Sequence, residues 1–253
     1  MKISGLTRIL TAVATTTALT VAAAPAHAQQ SKAGDPLFGA PTVGTCSTMT
    51  ATQAAAAADH STAVDCTATH TAQVAGVVQL PVGMKWSTAS VNDLFRVVVA
   101  RCDPKANAVL GRNVATRDSS AYDSIWFEPT KAQRSHGARW LSCSVILRHA
   151  KALAPLPTST TPFLPDGTLP DDVARCITKR GFRTPCTATH AWRTTGTFSV
   201  AGKFPGAKVL NRKANRKCAS RVTTADYGWL FQSKVKWNVG GDHVVVCFSK
   251  TTA

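Results

Sequence analysis

The chain has 253 residues, of which 29 are Lys or Arg and 13 are Asp or Glu, so its formal net charge is +16. Beyond the N-terminal segment, no stretch approaches the roughly 18 consecutive apolar residues that a membrane-spanning helix requires, so no further helix of this kind is expected. A cationic excess of this size predicts anionic partners.

The N-terminal segment is typical of a secretory signal peptide. Lys2 and Arg8 precede an apolar stretch, and an Ala-His-Ala sequence ends at residue 28, where a signal peptidase would cleave. We therefore predict a signal peptide over residues 1–28, with a retained membrane anchor as the alternative. After cleavage the protein would be secreted, extracellular or cell-wall associated, without a transmembrane segment.

Hydrophobic periodicity predicts a helix between two strands in the first part of the mature chain. The strands cover residues 74–80 and 140–147. The helix begins after Ser90, a suitable N-cap with Asp93 three residues on. Its apolar residues fall on one face at helical spacing: Val91, Leu94, Phe95, Val98, Val99 and Cys102.

The last part of the chain repeats this order of elements. Strands are predicted over 197–201 and 243–248, on either side of a helix over about 207–222. The segment 151–171 between the two parts holds five prolines, a composition typical of a linker. The predicted organisation is therefore one domain over 40–150, the linker, and a second domain over 172–253.

Eight cysteines support a duplication of one domain. The sequence Cys-Thr-Ala-Thr-His begins at Cys66 and again at Cys186. In chain order the other cysteines then match as Cys46 with Cys176, Cys102 with Cys218, and Cys143 with Cys247. Trp126 and Trp229 stand 17 and 18 residues before the last cysteine of each copy, and Gly137 and Gly241 stand six before it. A repeated order of this kind indicates duplication.

An even number of cysteines behind a secretory signal predicts disulfides. The expected pairs are Cys46 with Cys66, Cys102 with Cys143, Cys176 with Cys186, and Cys218 with Cys247. The predicted fold class is α+β: two related small domains in tandem, each an antiparallel sheet with one main helix and two disulfides.

These residues resemble the septum formation family of actinobacterial envelope proteins. The resemblance rests on residues 43–47, 64–77 and 126–143 with Cys102, and more weakly on the second copy. It implies an envelope location and a role around division or cell-wall synthesis. Where the family pattern has Glu three residues after the His, this chain has Gln73 and Arg193. The resemblance therefore provides no His–carboxylate pair for proton transfer or metal binding.

Other chemistry has little support in the sequence. The Cys-x-x-x-His spacing at His70 and His190 suits zinc, but oxidised cysteines cannot act as thiolate ligands, so we expect neither a metal nor another cofactor. No nucleophile or metalloprotease motif nominates a catalytic residue. Trp126 and Trp229 are expected in the core, whereas Trp86, Trp192 and Trp237 are less constrained.

Charge is the strongest functional feature. Residues 40–149 carry ten Lys and Arg against seven acids, whereas residues 172–253 carry fifteen against three. The second predicted helix places its cations on one broad arc: Lys208, Arg212, Lys213, Arg216 and Lys217. Such a face is either merely solvated or binds anions.

The sequence therefore predicts a secreted, non-catalytic binding module of the cell envelope, and the resemblance implies a link to septum or cell-wall processes. The basic helix would contact an anionic wall polymer, an acidic lipid surface or an acidic protein. Nucleic acid would bind the same face electrostatically, but secretion makes it a poor physiological partner. A secreted wall-modifying hydrolase with an unrecognised active site is the alternative.

Overall fold

A computed structural model describes residues 34–158 and 161–251, so the predicted signal peptide lies outside the described residues. The strands of the first half are β1 (Cys46–Thr48), β2 (Thr62–Val64), β3 (Ala72–Gln79), β4 (Tyr122–Phe127), β5 (Trp140–His149) and β6 (Ala152–Ala154). Those of the second half are β7 (Arg175–Ile177), β8 (Arg183–Pro185), β9 (Trp192–Ser199), β10 (Tyr227–Phe231) and β11 (Val244–Lys250).

Helices α1 to α5 belong to the first half, and α6 and α7 belong to the second. They are α1 (Ala51–Ala54), α2 (Val91–Val97), α3 (Asp103–Leu110), α4 (Val114–Asp118), α5 (Lys131–Ser135), α6 (Ala207–Cys218) and α7 (Lys234–Asn238). A π-helical turn, Val98–Cys102, joins α2 to α3. Within residues 34–158 and 161–251, no helix combines the length and the apolarity needed to cross a membrane.

The two antiparallel sheets have the same strand order, which confirms the α+β class with two sheet-containing halves. The first runs β2-β1-β3-β5-β4 and the second β8-β7-β9-β11-β10, with β6 added beside β5. Their registers also agree, because Trp126 lies opposite Cys143 and Trp229 lies opposite Cys247. Gly76 faces Cys143 and Gly196 faces Cys247 from the other side, a match that the sequence alignment missed.

The four disulfides join the cysteines that the sequence predicted. Cys46–Cys66 and Cys176–Cys186 each link the first strand of a half to the loop that carries the repeated pentapeptide. Cys102–Cys143 and Cys218–Cys247 each tie the main helical segment to the strand at the centre of the sheet. These last four cysteines are at most 1% exposed, so both staples lie inside the cores.

The main helix of the first half differs from its prediction. Its start is confirmed, since the Ser90 Oγ accepts a hydrogen bond from the Asp93 N–H. Most of its predicted apolar face is also confirmed, since Leu94, Val98, Val99 and Cys102 are buried. Val91, in the first turn, is instead 73% exposed, and a π-helical turn follows α2. The helical segment also continues past Cys102 through α3.

The Pro-rich segment between the halves is packed rather than free. Leu156, Phe163 and Leu164 are buried in one apolar cluster with Leu110 of the first half and Cys176 of the second. The proline content of this segment predicted a linker, but it did not show that the apolar residues between the prolines are buried. The two halves therefore share a core, while the domain boundaries proposed above stay a prediction.

Candidate functional site

Helix α6 presents the cationic surface that the sequence predicted. Leu210, Ala214 and Cys218 are fully buried, because they recur every four residues on the side facing the sheet. The other side carries what we call the α6 basic face: Lys208, Arg212, Lys213, Arg216 and Lys217. All five are exposed except Lys213, which is partly covered.

Side chains of β10 hold α6 in place from its polar flank. The Trp229 Nε1–H donates to the Asn211 Oδ1 at 2.9 Å, and the Tyr227 hydroxyl donates to the Asn215 Oδ1 at 3.0 Å. Asn211 and Asn215 are one helical turn apart, so the two bonds fix the rotation of the helix about its axis. The cations are therefore displayed on a positioned helix.

The charges of the α6 basic face have no acidic partners among the described residues. Every ion pair of the described chain uses other cations. One of the five cations lies near an aromatic ring: the Lys217 Nζ is 5.2 Å from the centroid of the Phe198 ring. In the first half, by contrast, Arg96 pairs with Asp93, and Arg101 donates to the Gln79 carbonyl at 2.9 Å.

A second charged site, which the sequence did not indicate, lies between the halves. This inter-half cleft encloses about 80 Å³ and adjoins a pocket of about 200 Å³. Ion pairs cross it between the halves: Arg117–Asp242 at 3.3 Å, Lys236–Asp103 at 3.4 Å and Arg183–Asp123 at 3.5 Å. Arg175 and Asp118 lie in both cavities.

Burial shifts the titration of several groups in the inter-half cleft. It raises the pKa of Asp118 to about 6, with a further contribution from Asp242, and the Asp118 Oδ2 is buried without a hydrogen-bond partner. Burial also lowers the pKa of Arg175 to about 9 and raises the pKa of Asp103. For Asp123, burial would raise the pKa, but the guanidinium groups of Arg183 and Arg148 outweigh it and lower the pKa.

Sequence reasoning missed the inter-half cleft because its residues form no local pattern. The Arg175 Nη1–H donates to the Asp118 carbonyl at 3.1 Å, although 57 positions separate the two residues. No spacing rule relates them, and a carboxyl of raised pKa cannot be recognised before its surroundings are known. Apart from the small number of acidic residues in a basic chain, nothing in the sequence indicated the inter-half cleft.

The histidines of the repeated pentapeptide have a structural role in their loops. The Nδ1–H of His70 donates to the Ala68 carbonyl at 2.9 Å, and that of His190 donates to the Ala188 carbonyl at 2.7 Å. Both imidazoles are largely buried, and each histidine follows a disulfide-bonded cysteine by four residues. Among the described residues no three His, Cys, Asp or Glu side chains converge as metal ligands.

The tryptophans divide differently from the prediction. Trp126 and Trp229 pack against the cores of their halves, as expected. Trp237 is not loosely placed: it is 0% exposed, its ring stacks on His243 at 4.9 Å, and its Nε1–H donates to the Gly202 carbonyl. Trp86 lies beneath the guanidinium of Arg134, which is 4.1 Å from the ring centroid.

Comparison with known proteins agrees with the resemblance drawn from the sequence. A family model described as septum formation matches residues 43–247, which covers most of the chain and both sheet-containing halves. The match therefore includes the α6 basic face and the inter-half cleft. No curated protein and no solved structure matches the chain.

Proposed function

The chain belongs to the septum formation family, whose description carries a septum- or envelope-related role, and on that premise we propose a more specific function. The protein is a secreted, non-catalytic module that binds an anionic component of the cell envelope through the α6 basic face. Its four disulfides suit an oxidising compartment outside the cytoplasm.

The observation that carries this proposal is the uncompensated charge of α6. Five cations line one helix of twelve residues, and none has an acidic partner among the described residues. Like charges this close repel one another, so an anionic ligand stabilises the protein as it binds. The first half has the same scaffold without such a face.

Among anionic partners, a wall polymer fits the α6 basic face better than a lipid surface. Helices that bind membranes insert apolar side chains among the acyl chains. The large apolar residue of α6, Leu210, is instead fully buried against the sheet, so α6 has no such side chain to insert. An extended polyanion needs only a row of exposed cations, and α6 provides one.

A charge-reversed variant tests the proposal. In the triple variant Lys208→Glu, Arg212→Glu, Arg216→Glu, we expect the purified protein to sediment at least about tenfold less with cell walls, because attraction becomes repulsion. Wild-type binding should weaken steeply with salt and vanish once the anionic polymers are stripped from the walls.

The control has the same net charge but spares α6. It reverses Lys85, Arg112 and Lys131, which are exposed residues of the first half. We expect the control to keep most of its wall binding and both variants to keep the wild-type circular dichroism spectrum. Equal losses in the two variants, or wild-type binding that survives stripping, would contradict the proposal.

A wall-modifying hydrolase is the second candidate, because the inter-half cleft contains Asp118. A carboxyl with a pKa near 6 is partly protonated at neutral pH, as a general acid must be. The two adjoining cavities, of about 80 and 200 Å³, are each smaller than the roughly 300–1,000 Å³ of typical ligand sites. Release of reducing ends from purified peptidoglycan by the wild type but not by Asp118→Asn would establish this candidate. No release by the wild type would remove it.

A further inference from the structure

A pocket of about 540 Å³ lies beside the repeated pentapeptide of the second half. It is separate from the α6 basic face and from the inter-half cleft, since it shares no residue with either. Its volume falls within the range of roughly 300–1,000 Å³ that small-molecule sites occupy. The residues that decide its chemistry are Lys151, Lys179, Arg180, Phe182 and His190.

Backbone hydrogen bonds form the walls of this pocket. In the β7–β8 turn, the Thr178 N–H donates to the Phe182 carbonyl at 2.9 Å, which places Lys179 and Arg180 at the tip. Across the pocket, the Ala150 N–H donates to the Arg183 carbonyl at 2.9 Å and holds the β5–β6 turn against β8. The pocket therefore depends on contact between the two halves.

The rim of the pocket is cationic. Lys151, Lys179 and Arg180 are exposed and take no part in the ion pairs of the described chain. His190 adds a polar group, because its Nδ1–H is used by the Ala188 carbonyl and its Nε2 is the nitrogen left for a ligand. Cations grouped in this way form charge-assisted hydrogen bonds to phosphate or carboxylate oxygens.

The interior of the pocket is largely apolar. Phe182 is 36% exposed, and the Lys151 Nζ lies 5.6 Å from the centroid of its ring. Ala150 and Ala191 lie beside it, and the remaining lining residues are threonines: Thr178, Thr189 and Thr251. An inorganic anion would leave these surfaces uncovered. A ligand that carries an anionic group on a ring with an apolar C–H face would cover both the rim and the interior.

We infer that this pocket binds one anionic sugar unit, a sugar ring bearing phosphate or carboxylate. The sugar ring covers Phe182, and Lys179 and Arg180 bind the anionic group. This site differs from the binding of a polymer by α6, because the pocket would recognise the chemical structure of one sugar unit, whereas α6 responds only to negative charge.

The first half shows that an open pocket is not a necessary product of the repeated fold. There the matching His70 is 1% exposed, and its Nε2 is buried without a partner. The Leu156 N–H donates to the His70 carbonyl at 2.8 Å, and the Leu156 side chain is buried. The connecting segment thus closes the first site, whereas the second is open.

Calorimetric titration of the mature protein tests the inference. The probes are glucose 1-phosphate, glucuronate, glucose and inorganic phosphate. We expect the two anionic sugars to bind at least about tenfold tighter than glucose or phosphate alone, since each of the latter meets only half of the site. Phosphate that binds as tightly as glucose 1-phosphate would overturn the inference.

Variants locate the binding. The double variant Lys179→Ser, Arg180→Ser and the single variant Phe182→Ala should each weaken glucose 1-phosphate binding by about tenfold or more. The α6 triple reversal should leave this binding within about threefold, because the helix contributes no residue to the pocket. Unchanged binding in both pocket variants would overturn the inference, and so would a loss confined to the α6 variant. These outcomes also separate the pocket from the proposed function of α6.

A competition experiment identifies the source of the sugar. Soluble anionic fragments released from cell walls and free glucose 1-phosphate are each tested for displacement of labelled glucuronate. Displacement by wall fragments at lower sugar concentration identifies a polymer unit, and displacement by the free sugar alone identifies a soluble ligand. Both support the pocket, whereas displacement by neither would overturn it.

Discussion

The two halves of this molecule share one scaffold and differ in what they place on it. Both have the same strand order, both set a Trp opposite the last cysteine, and both tie a helical segment to the central strand by a disulfide. In the first half Arg96 and Arg101 of this segment bond within their own half, whereas α6 leaves five cations without acidic partners among the described residues. Duplication therefore preserved the core and left the surface free to diverge.

The same contrast appears at two further matched places. His70 is closed over by the connecting segment, whereas His190 borders an open pocket. Arg134 of α5 lies over an aromatic ring, whereas Trp237 of α7 is fully buried. At each of these places the two halves have the same backbone elements and differ in one side chain or in one segment that covers the site. Interactions with other molecules are accordingly expected from the second half.

The largest expected effect sharpens the comparison of α5 with α7. Trp237→Ala should lower the free energy of unfolding by about 3 to 5 kcal/mol, because it empties the core of the second half. Arg134→Ala should lower it by only about 1 kcal/mol, since the guanidinium is partly exposed. Urea unfolding of the two variants measures both. Equal losses would show that the two positions support their halves in the same way.

Disulfide removal compares a core disulfide of the first half with the pentapeptide-loop disulfide of the second half. In the chain-entropy model, loss of Cys102–Cys143, 41 positions apart, costs about 4 kcal/mol, and loss of Cys176–Cys186, ten apart, costs about 3 kcal/mol. Double Cys→Ala variants compared by thermal unfolding should show this order. The reverse order would mean that the pentapeptide loops matter more than the cores do.

Acid dependence tests how the halves are joined. The folded-state pKa of Asp118, about 6, lies above its ordinary value of 3.8, so the protonated form is favoured by folding. The stability that Asp118 contributes is complete below about pH 4 and is lost as the pH rises through 6.

Between pH 4 and pH 7, the wild type should therefore lose up to about 3 kcal/mol relative to Asp118→Asn. Urea unfolding of both proteins at each pH measures this difference, and the subtraction removes the contributions of Asp103 and Asp123. Parallel pH profiles would show that the carboxyl is solvated in the folded protein.

The smallest expected effect compares the two pentapeptide histidines. His70→Ala should cost about 2 kcal/mol, because it leaves a cavity under the connecting segment and removes the bond to the Ala68 carbonyl. His190→Ala should cost about 1 kcal/mol, since solvent in the open pocket replaces the lost side chain. A larger loss of unfolding free energy for His190→Ala than for His70→Ala, measured by chemical unfolding, would contradict the description of a closed first site and an open second one.

The sequence predicted the elements that depend on spacing. The pairing of Cys102 with Cys143 followed from a helical period beside a strand, and α6 followed from apolar residues every four positions. The apolar face of the main helix in the first half was predicted for Leu94, Val98 and Cys102, but not the exposure of Val91. The π-helical turn at Val98–Cys102 could not be predicted, because no residue in the sequence marks it. Trp237 was also misjudged, since its burial depends on Phe204 and His243, which reach it from separate loops.

By itself, then, the sequence was enough to identify the duplication, the disulfide pairs, the family and the basic helix. Each of these depends on local periodicity or on the order of rare residues such as cysteine. The tertiary structure decided which histidine is covered, which cations are left without acidic partners, and where Asp118 meets Arg175. Those features depend on which distant segment closes over a site, and that is settled only when the two halves pack together.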